Sequence, residues 1–270
     1  MKTLVLANQK GGVGKSAVAT LLAHHLHRAG RRVLAVDLDH QGNLSSILQR
    51  SNRALSAPVT ADALLTSARV DVPAGTFVLV PAADALLGLE RQPAQHTPFA
   101  RNLRAFLRAQ AGRFDVCIVD TNPNPDIRVI AALASADFVL SPIQLNQEAI
   151  DGVRGLLHHP RVGVHKIRAV LNPALRLVGL LPTMVEATPF QKANFVEIIR
   201  HHQSLLIPIG ERAGEFAFIP KRSAIAEAQA HGEILWEMKK TAARDAWTEV
   251  EPTMRRLSDI VFAKEDEHVA

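Results

Sequence analysis

Asn8-Gln9-Lys10-Gly11-Gly12-Val13-Gly14-Lys15-Ser16 stands between a short apolar run, residues 4–7, and a helical pattern marked by Leu21, Leu22 and Leu26. A strand, a glycine-rich turn, Lys-Ser and then a helix is the context in which such a turn cradles phosphate. Glycines accept positive φ and let successive backbone N–H groups face an anion without a Cβ in the way. The helix that starts near Lys15 adds the positive end of its dipole. Lys15 supplies a point charge to the β- and γ-phosphates of a nucleotide, and the Ser16 hydroxyl is placed to ligate Mg²⁺. Residues 11–17 therefore form the expected phosphate cradle, Gly11, Gly12, Val13, Gly14, Lys15, Ser16 and Ala17. Gln9 replaces the first glycine of the usual G-x-x-x-x-G-K-S/T pattern, and Lys10 is an extra lysine that a cradle for a single nucleotide does not need.

Outward from this loop the chain alternates apolar runs with helical stretches. Val33–Asp37 reads as a buried parallel strand, followed by the polar loop Asp37-Leu38-Asp39-His40-Gln41-Gly42-Asn43 at its carboxyl end, where open α/β sheets bind ligands. Residues 44–70 look helical with a break at Pro58, and Phe77–Val80 suggests a third strand. Leu103, Phe106 and Leu107 mark an amphipathic helix. Residues 114–119 form a strand that ends in Asp120. Residues 138–143, 167–171 and 177–181 read as further strands, and 243–262 as a terminal helix. The alternation predicts one α/β domain over residues 1–263, a mainly parallel twisted sheet with helices on both faces, and a charged, frayed tail over 264–270.

With 270 residues, 47% apolar and 21% charged, the chain has the make-up of an ordinary soluble protein. A net charge of +5 admits a polyanionic partner without requiring one. Cys117 sits in an apolar run and reads as a core residue of a cytosolic protein. The first strand begins almost at Met1, which leaves no room for a signal peptide, and no apolar run reaches membrane-spanning length. The pairs His24/His25, His158/His159 and His201/His202 point in different directions on a helix and have no acidic or thiol partners in sequence. They are expected to be solvated or lightly packed, not metal ligands.

Asp120 at the end of an apolar strand fits a carboxylate that holds Mg²⁺ through water. Asp39 can orient and deprotonate an attacking water and lies close enough in the pattern to share the metal, whereas Asp37 supports Mg²⁺ or the loop itself.

The run K-G-G-V-G-K-S together with D-x-D-x-Q-G-N resembles the deviant Walker A ATPases of the ParA/MinD family. Within that family the chain is most similar to the small, IncC-like plasmid partition proteins. Asn122-Pro123-Asn124-Pro125, in place of the family's usual Pro-Pro after Asp120, and residues 188–194 carry the narrower match. The resemblance covers about residues 3–232 and implies ATP and Mg²⁺ as cofactors. It also implies an ATP-driven sandwich homodimer in which Lys10 reaches the partner's nucleotide, nonspecific DNA binding, and stimulation of hydrolysis by a ParB-type partner. It places the protein in the cytoplasm, on the nucleoid, and not at a membrane. His40 stands where the family commonly has proline, and Ala17 replaces a hydroxyl residue that bonds the α-phosphate. Met184 is expected to pack on the adenine ring and the backbone at Pro220 to bond its edge. The family carries a basic DNA contact at Lys221. Arg222, Lys239, Lys240, Arg200 and Lys192 are further candidates, while residues 185–189 lack a second basic position the family often shows. No helix-turn-helix extension precedes the first strand, so site-specific operator binding is not expected.

Three rival readings share the motif. A MinD-like membrane ATPase needs a basic amphipathic helix near the C-terminus. Arg255 and Arg256 are followed by Glu265, Asp266 and Glu267, which an anionic surface repels. A cargo-positioning ATPase acting on something other than DNA has the same site. A metabolic ligase on this fold, of the dethiobiotin-synthetase kind, has no use for Lys10.

Overall fold

The computed structural model describes residues 1–146, 149–210 and 214–263, without side chains for 149–151. The expected tail over 264–270 lies outside the described residues. Seven strands form one sheet: β1 (Lys2–Leu6), β2 (Val33–Asp37), β3 (Leu55–Ser56), β4 (Phe77–Val80), β5 (Val116–Asp120), β6 (Phe138–Gln144) and β7 (Arg176–Thr183). Their order is β3-β4-β2-β5-β1-β6-β7, and every pairing between them is parallel.

The central strands are apolar throughout because both faces are covered. All five residues of β2 and of β5 are buried. Successive residues still alternate between two cores, as the period of two demands. Val5, Val36 and Val119 join the core under α3 (Ala63–Thr66), α4 (His96–Ala109), α5 (Ile127–Ser135), α6 (Ala149–His158) and α7 (Val164–Val170). Leu4, Leu6, Ala35 and Ile118 join the opposite core, beneath α1 (Lys15–Arg28), α2 (Asn43–Ser51), α9 (Ser223–His231) and α10 (Thr241–Phe262). The remaining helix, α8 (Pro189–His202), buries only Ile198 fully.

Three sequence expectations are corrected. Residues 167–171 are not a strand; 167–170 belong to α7, which buries Val164 and Ile167 and leaves Val170 exposed, and Leu171 caps the helix, also exposed. An i, i+3 pair inside a short apolar run reads equally well as either element. The stretch 44–70 is helical only as α2 and the single-turn α3. Between them Asn52 turns left-handed at φ 53° and the two-residue strand β3 closes the sheet edge. His24 is not solvated: it is buried, edge-on to Phe77 and to Trp236, and burial pushes its pKa down to about 4. Among the described residues, no helix is long and apolar enough to cross a membrane.

Candidate nucleotide site

Register brings the site together. In the sheet, β5 lies between β1 and β2, and Asp120 is level with both Leu6 and Asp37. The turn after β1, the loop after β2 and the turn after β5 thus leave the sheet at the same edge. Residues 8–14 loop over this edge into α1. Gly14 precedes the helix in a left-handed conformation, φ 80°, which a side chain rarely adopts. Residues missed by the sequence reading anchor the loop. Asn8 Nδ2 donates to Pro142 O at 2.8 Å and to Ser141 Oγ at 3.2 Å, and Asn8 Oδ1 accepts the Lys10 N–H at 2.8 Å. Thr183 Oγ1 donates to Val13 O at 2.8 Å, and Gln144 Nε2 to Gly12 O at 3.0 Å. The sequence reading gave these side chains no anchoring role, because each becomes relevant only when β6 and β7 are laid beside the loop.

Lys15 is buried and its ammonium folds back on Asn8 O at 3.2 Å and Lys10 O at 3.3 Å. Burial lowers its pKa, and the charges of Asp120 and Asp39 oppose that shift. The Ser16 hydroxyl donates to Asp120 Oδ2 at 2.5 Å. Asp120 is fully buried and its Oδ1 has no hydrogen-bond partner among the described residues. Burial, with the charge of Asp37 beside it, raises the Asp120 pKa to about 8. Burial raises that of Asp37 to about 6, against the lowering effect of its hydrogen bonds. A hydroxyl, a carboxylate and an orphaned buried oxygen beside a phosphate cradle fit a hard divalent cation such as Mg²⁺, which takes oxygen ligands and shares them with phosphate.

Asp37 is committed to the loop: Oδ2 accepts the Ser45 N–H at 2.8 Å and the Ser45 hydroxyl at 2.7 Å, and Oδ1 accepts the Asp39 N–H at 3.1 Å. Asp39 thereby stands over the cleft, with the Gln41 N–H at 3.1 Å and the His40 ring beside its carboxylate. The cleft, about 590 Å³, is lined by residues 11–17, Asp39, Met184, Pro123, the face of α2 that carries Ser46 and Arg50, and the face of α9 that carries Ala226, Gln229 and Ala230.

Met184 adopts φ 52°, and its sulfur receives Gln144 Nε2 at 3.1 Å beside Gly14. Pro220 does not line this cleft. It bridges to Val185 and borders a second recess with Lys192 and Lys221.

The basic candidates are spread over the surface, and most of them are already paired. Lys221 meets Glu186 at 3.1 Å, Arg222 meets Glu249 at 2.6 Å, Arg200 meets Glu197 at 2.6 Å, and Lys240 pairs with Glu227.

A strand-turn-helix phosphate loop on a parallel sheet, with a serine-aspartate pair at its foot, defines a P-loop nucleotide-binding protein. Comparison with known proteins narrows the class. The family described as an AAA domain matches residues 1–177. Protein IncC of Escherichia coli is 35% identical over 98% of this chain and 70% of its own. The chromosome-partitioning ATPase Soj of Thermus thermophilus is 35% identical over 99% of this chain and 98% of its own. Among solved structures, cobyrinic acid a,c-diamide synthase from Mycobacterium smegmatis with bound ADP and magnesium aligns at TM-score 0.66. It is 27% identical over 86% of this chain and 91% of that one. The ATP complex of a variant of McdA from Cyanothece aligns at TM-score 0.73 over 96% of each chain, at 22% identity, a likeness of fold alone. The chain belongs to the ParA family of partition ATPases.

Proposed function

We propose that this chain is a DNA-partition ATPase that binds ATP and Mg²⁺ in the cleft over β1 and β5 and hydrolyses the γ-phosphate bond. The observation that carries the reading is the Ser16–Asp120 pair, with its orphaned buried carboxylate oxygen, at the foot of a loop that contains a second lysine. Family membership over nearly the whole chain supports it. In this reading the N–H groups of residues 11–16 and the Lys15 ammonium hold the phosphates. Ser16 and Asp120 would hold Mg²⁺, with Asp39 close by, and the bound ion would supply charge neutralisation at the phosphate oxygens. Asp39 orients the attacking water and accepts its proton. Lys10 reaches a second copy of the chain across a sandwich homodimer. The dimer binds DNA through sequence-independent phosphate contacts, and a ParB-type partner accelerates hydrolysis and resets it. The protein works in the cytoplasm on nucleoid DNA.

Mobility of random-sequence DNA, measured with wild type and Lys10→Ala over a salt series, tests the cycle. The expected result is a shift only with ATP, lost in the variant and weakening steeply with salt. Binding indifferent to nucleotide, or none, removes the central step.

A further inference from the structure

The phosphate loop departs from the usual pattern at two neighbouring positions, Gln9 and Lys10, and the first of them has a seat outside the loop. Gln9 Nε2 donates to Gly155 O, on α6, at 2.9 Å. That carbonyl also accepts the His159 N–H at 3.1 Å, so both of its lone pairs are engaged. The helix that offers the seat is itself fixed, with Val153 and Leu156 buried in the core. The seat exists because residue 155 is glycine. Glycine is a poor helix former, and no positive φ calls for one at this position. A Cβ on residue 155 would stand 3.2 Å from Gln9 Oε1 and 3.6 Å from Cδ and Nε2, so the amide takes the space that a side chain would claim.

Lys10 is the next residue along. Its N–H is accepted by Asn8 Oδ1 at 2.8 Å, and its carbonyl receives the Lys15 ammonium at 3.3 Å. The same ammonium bonds Asn8 O at 3.2 Å. Lys15 must leave both carbonyls to serve a phosphate, and its hold on this segment goes with it. Gln9 bonds α6 and not Lys15, so it keeps its grip when Lys15 turns away and then carries a larger share of the restraint on residues 9 and 10.

We infer that Gln9, seated on Gly155, is a positioning residue for Lys10. It fixes the backbone from which the Lys10 side chain leaves the loop, and it does so most when Lys15 is turned to the phosphates. A side chain that crosses to a second subunit binds better from a backbone already in place, because less ordering is left to be done on association. The two departures from the usual motif are then one device, an added lysine and the neighbour that aims it. The inference rests on the proposed reach of Lys10 across the dimer, and its first test does not.

Hydrogen exchange of the Lys10 amide reads the hold directly. Gln9→Met keeps the length and bulk of the side chain but has no donor. It is expected to speed that exchange about fivefold in ADP-bound protein, and by less in nucleotide-free protein, where Lys15 still engages Lys10 O. Exchange that is unchanged, or raised equally in both states, overturns the inference. Sedimentation with ATP then reads the consequence. Gln9→Met is expected to weaken the dimer about fivefold, while the ATP affinity of dilute, monomeric protein changes less than about twofold. In a Lys10→Ala background the same substitution is expected to cost under about twofold, because no Lys10 side chain is left to aim. Equal losses in both backgrounds mean that Gln9 only supports the fold, and sink the inference. Gly155→Val approaches the seat from the other side: it is expected to weaken the dimer as Gln9→Met does, and to add little to Gln9→Ala, which vacates the seat. A loss undiminished in the Gln9→Ala background contradicts the seat. If Lys10→Ala dimerises as wild type does, the proposed reach of Lys10 fails, and the exchange rates still decide whether Gln9 holds it.

Discussion

The phosphate cleft and the basic surface contrast in how they treat charge. In the cleft, Lys15, Asp37, Asp39 and Asp120 are all buried, burial displaces the pKa values of Lys15, Asp37 and Asp120, and one Asp120 oxygen lacks a partner among the described residues. On the surface, Lys221, Arg222, Arg200 and Lys240 are each more than half exposed and each sits against a glutamate. Buried charge costs free energy unless it is paired, so a buried carboxylate oxygen without a partner singles out the cleft. Exposed ion pairs contribute little to stability and neutralise one another, so a net charge of +5 does not say where a polyanion docks.

The sharpest way to break this contrast is Asp120→Asn. Loss of a metal-holding carboxylate is expected to cut kcat by about a thousandfold or more. Apo stability is expected to exceed that of wild type already at pH 7 and by somewhat more near pH 9. The folded pKa of about 8 is above the unfolded value, so the stability tied to this proton is complete below about pH 4 and is lost as pH rises through 8. Denaturant midpoints at both pH values check it, and a variant much less stable at pH 9 counts against the buried-charge account.

His24 offers the same physics away from the cleft, with the opposite sign. Its folded pKa of about 4 lies below the unfolded value, so stability is complete above pH 6.5 and lost as pH falls toward 4. The loss is expected to be on the order of 3 kcal/mol. Urea titrations of wild type and His24→Leu at pH 7 and pH 4.5 compare the two slopes, and an equal acid loss in both removes His24 as the cause.

Mg²⁺ affinity in the presence of nucleotide is expected to rise with pH up to about 8, because Asp120 must release its proton to solvent before it can hold the ion. Between pH 6 and 7.5 the slope is expected to be about tenfold per pH unit. Calorimetry in buffers of different ionisation enthalpy reads the released proton, and binding independent of pH contradicts the assignment.

The smallest effect belongs to the surface. Glu186→Gln, which uncovers Lys221, is expected to change stability by less than about 1 kcal/mol. If Lys221 faces DNA, the same substitution steepens the salt dependence of DNA binding by up to about one phosphate equivalent. An unchanged salt slope places the DNA elsewhere.

The parallel sheet was legible because its strands are buried on both faces and read as unbroken apolar runs, as in Val33–Asp37 and Val116–Asp120. Legibility failed where packing, not pattern, chose the element. Residues 167–171 carry strand-like side chains, yet Val164 and Ile167 turn onto the core as a helix. His24 looked like one of a solvated or lightly packed pair until α1 was laid against Phe77 and Trp236.

The sequence by itself determined the phosphate loop and its helix, because glycine, lysine and serine at fixed spacing act through local backbone geometry. It also placed Asp120 at a strand end, since a carboxylate after an apolar run has nowhere else to go. Tertiary structure alone decided what those groups meet. Ser45 engages Asp37, Asn8 and Gln144 brace the loop, and Gln9 reaches Gly155 across 146 positions of chain. Such partners come from different crossovers of the sheet. Their proximity follows from strand order and register, which no local pattern encodes.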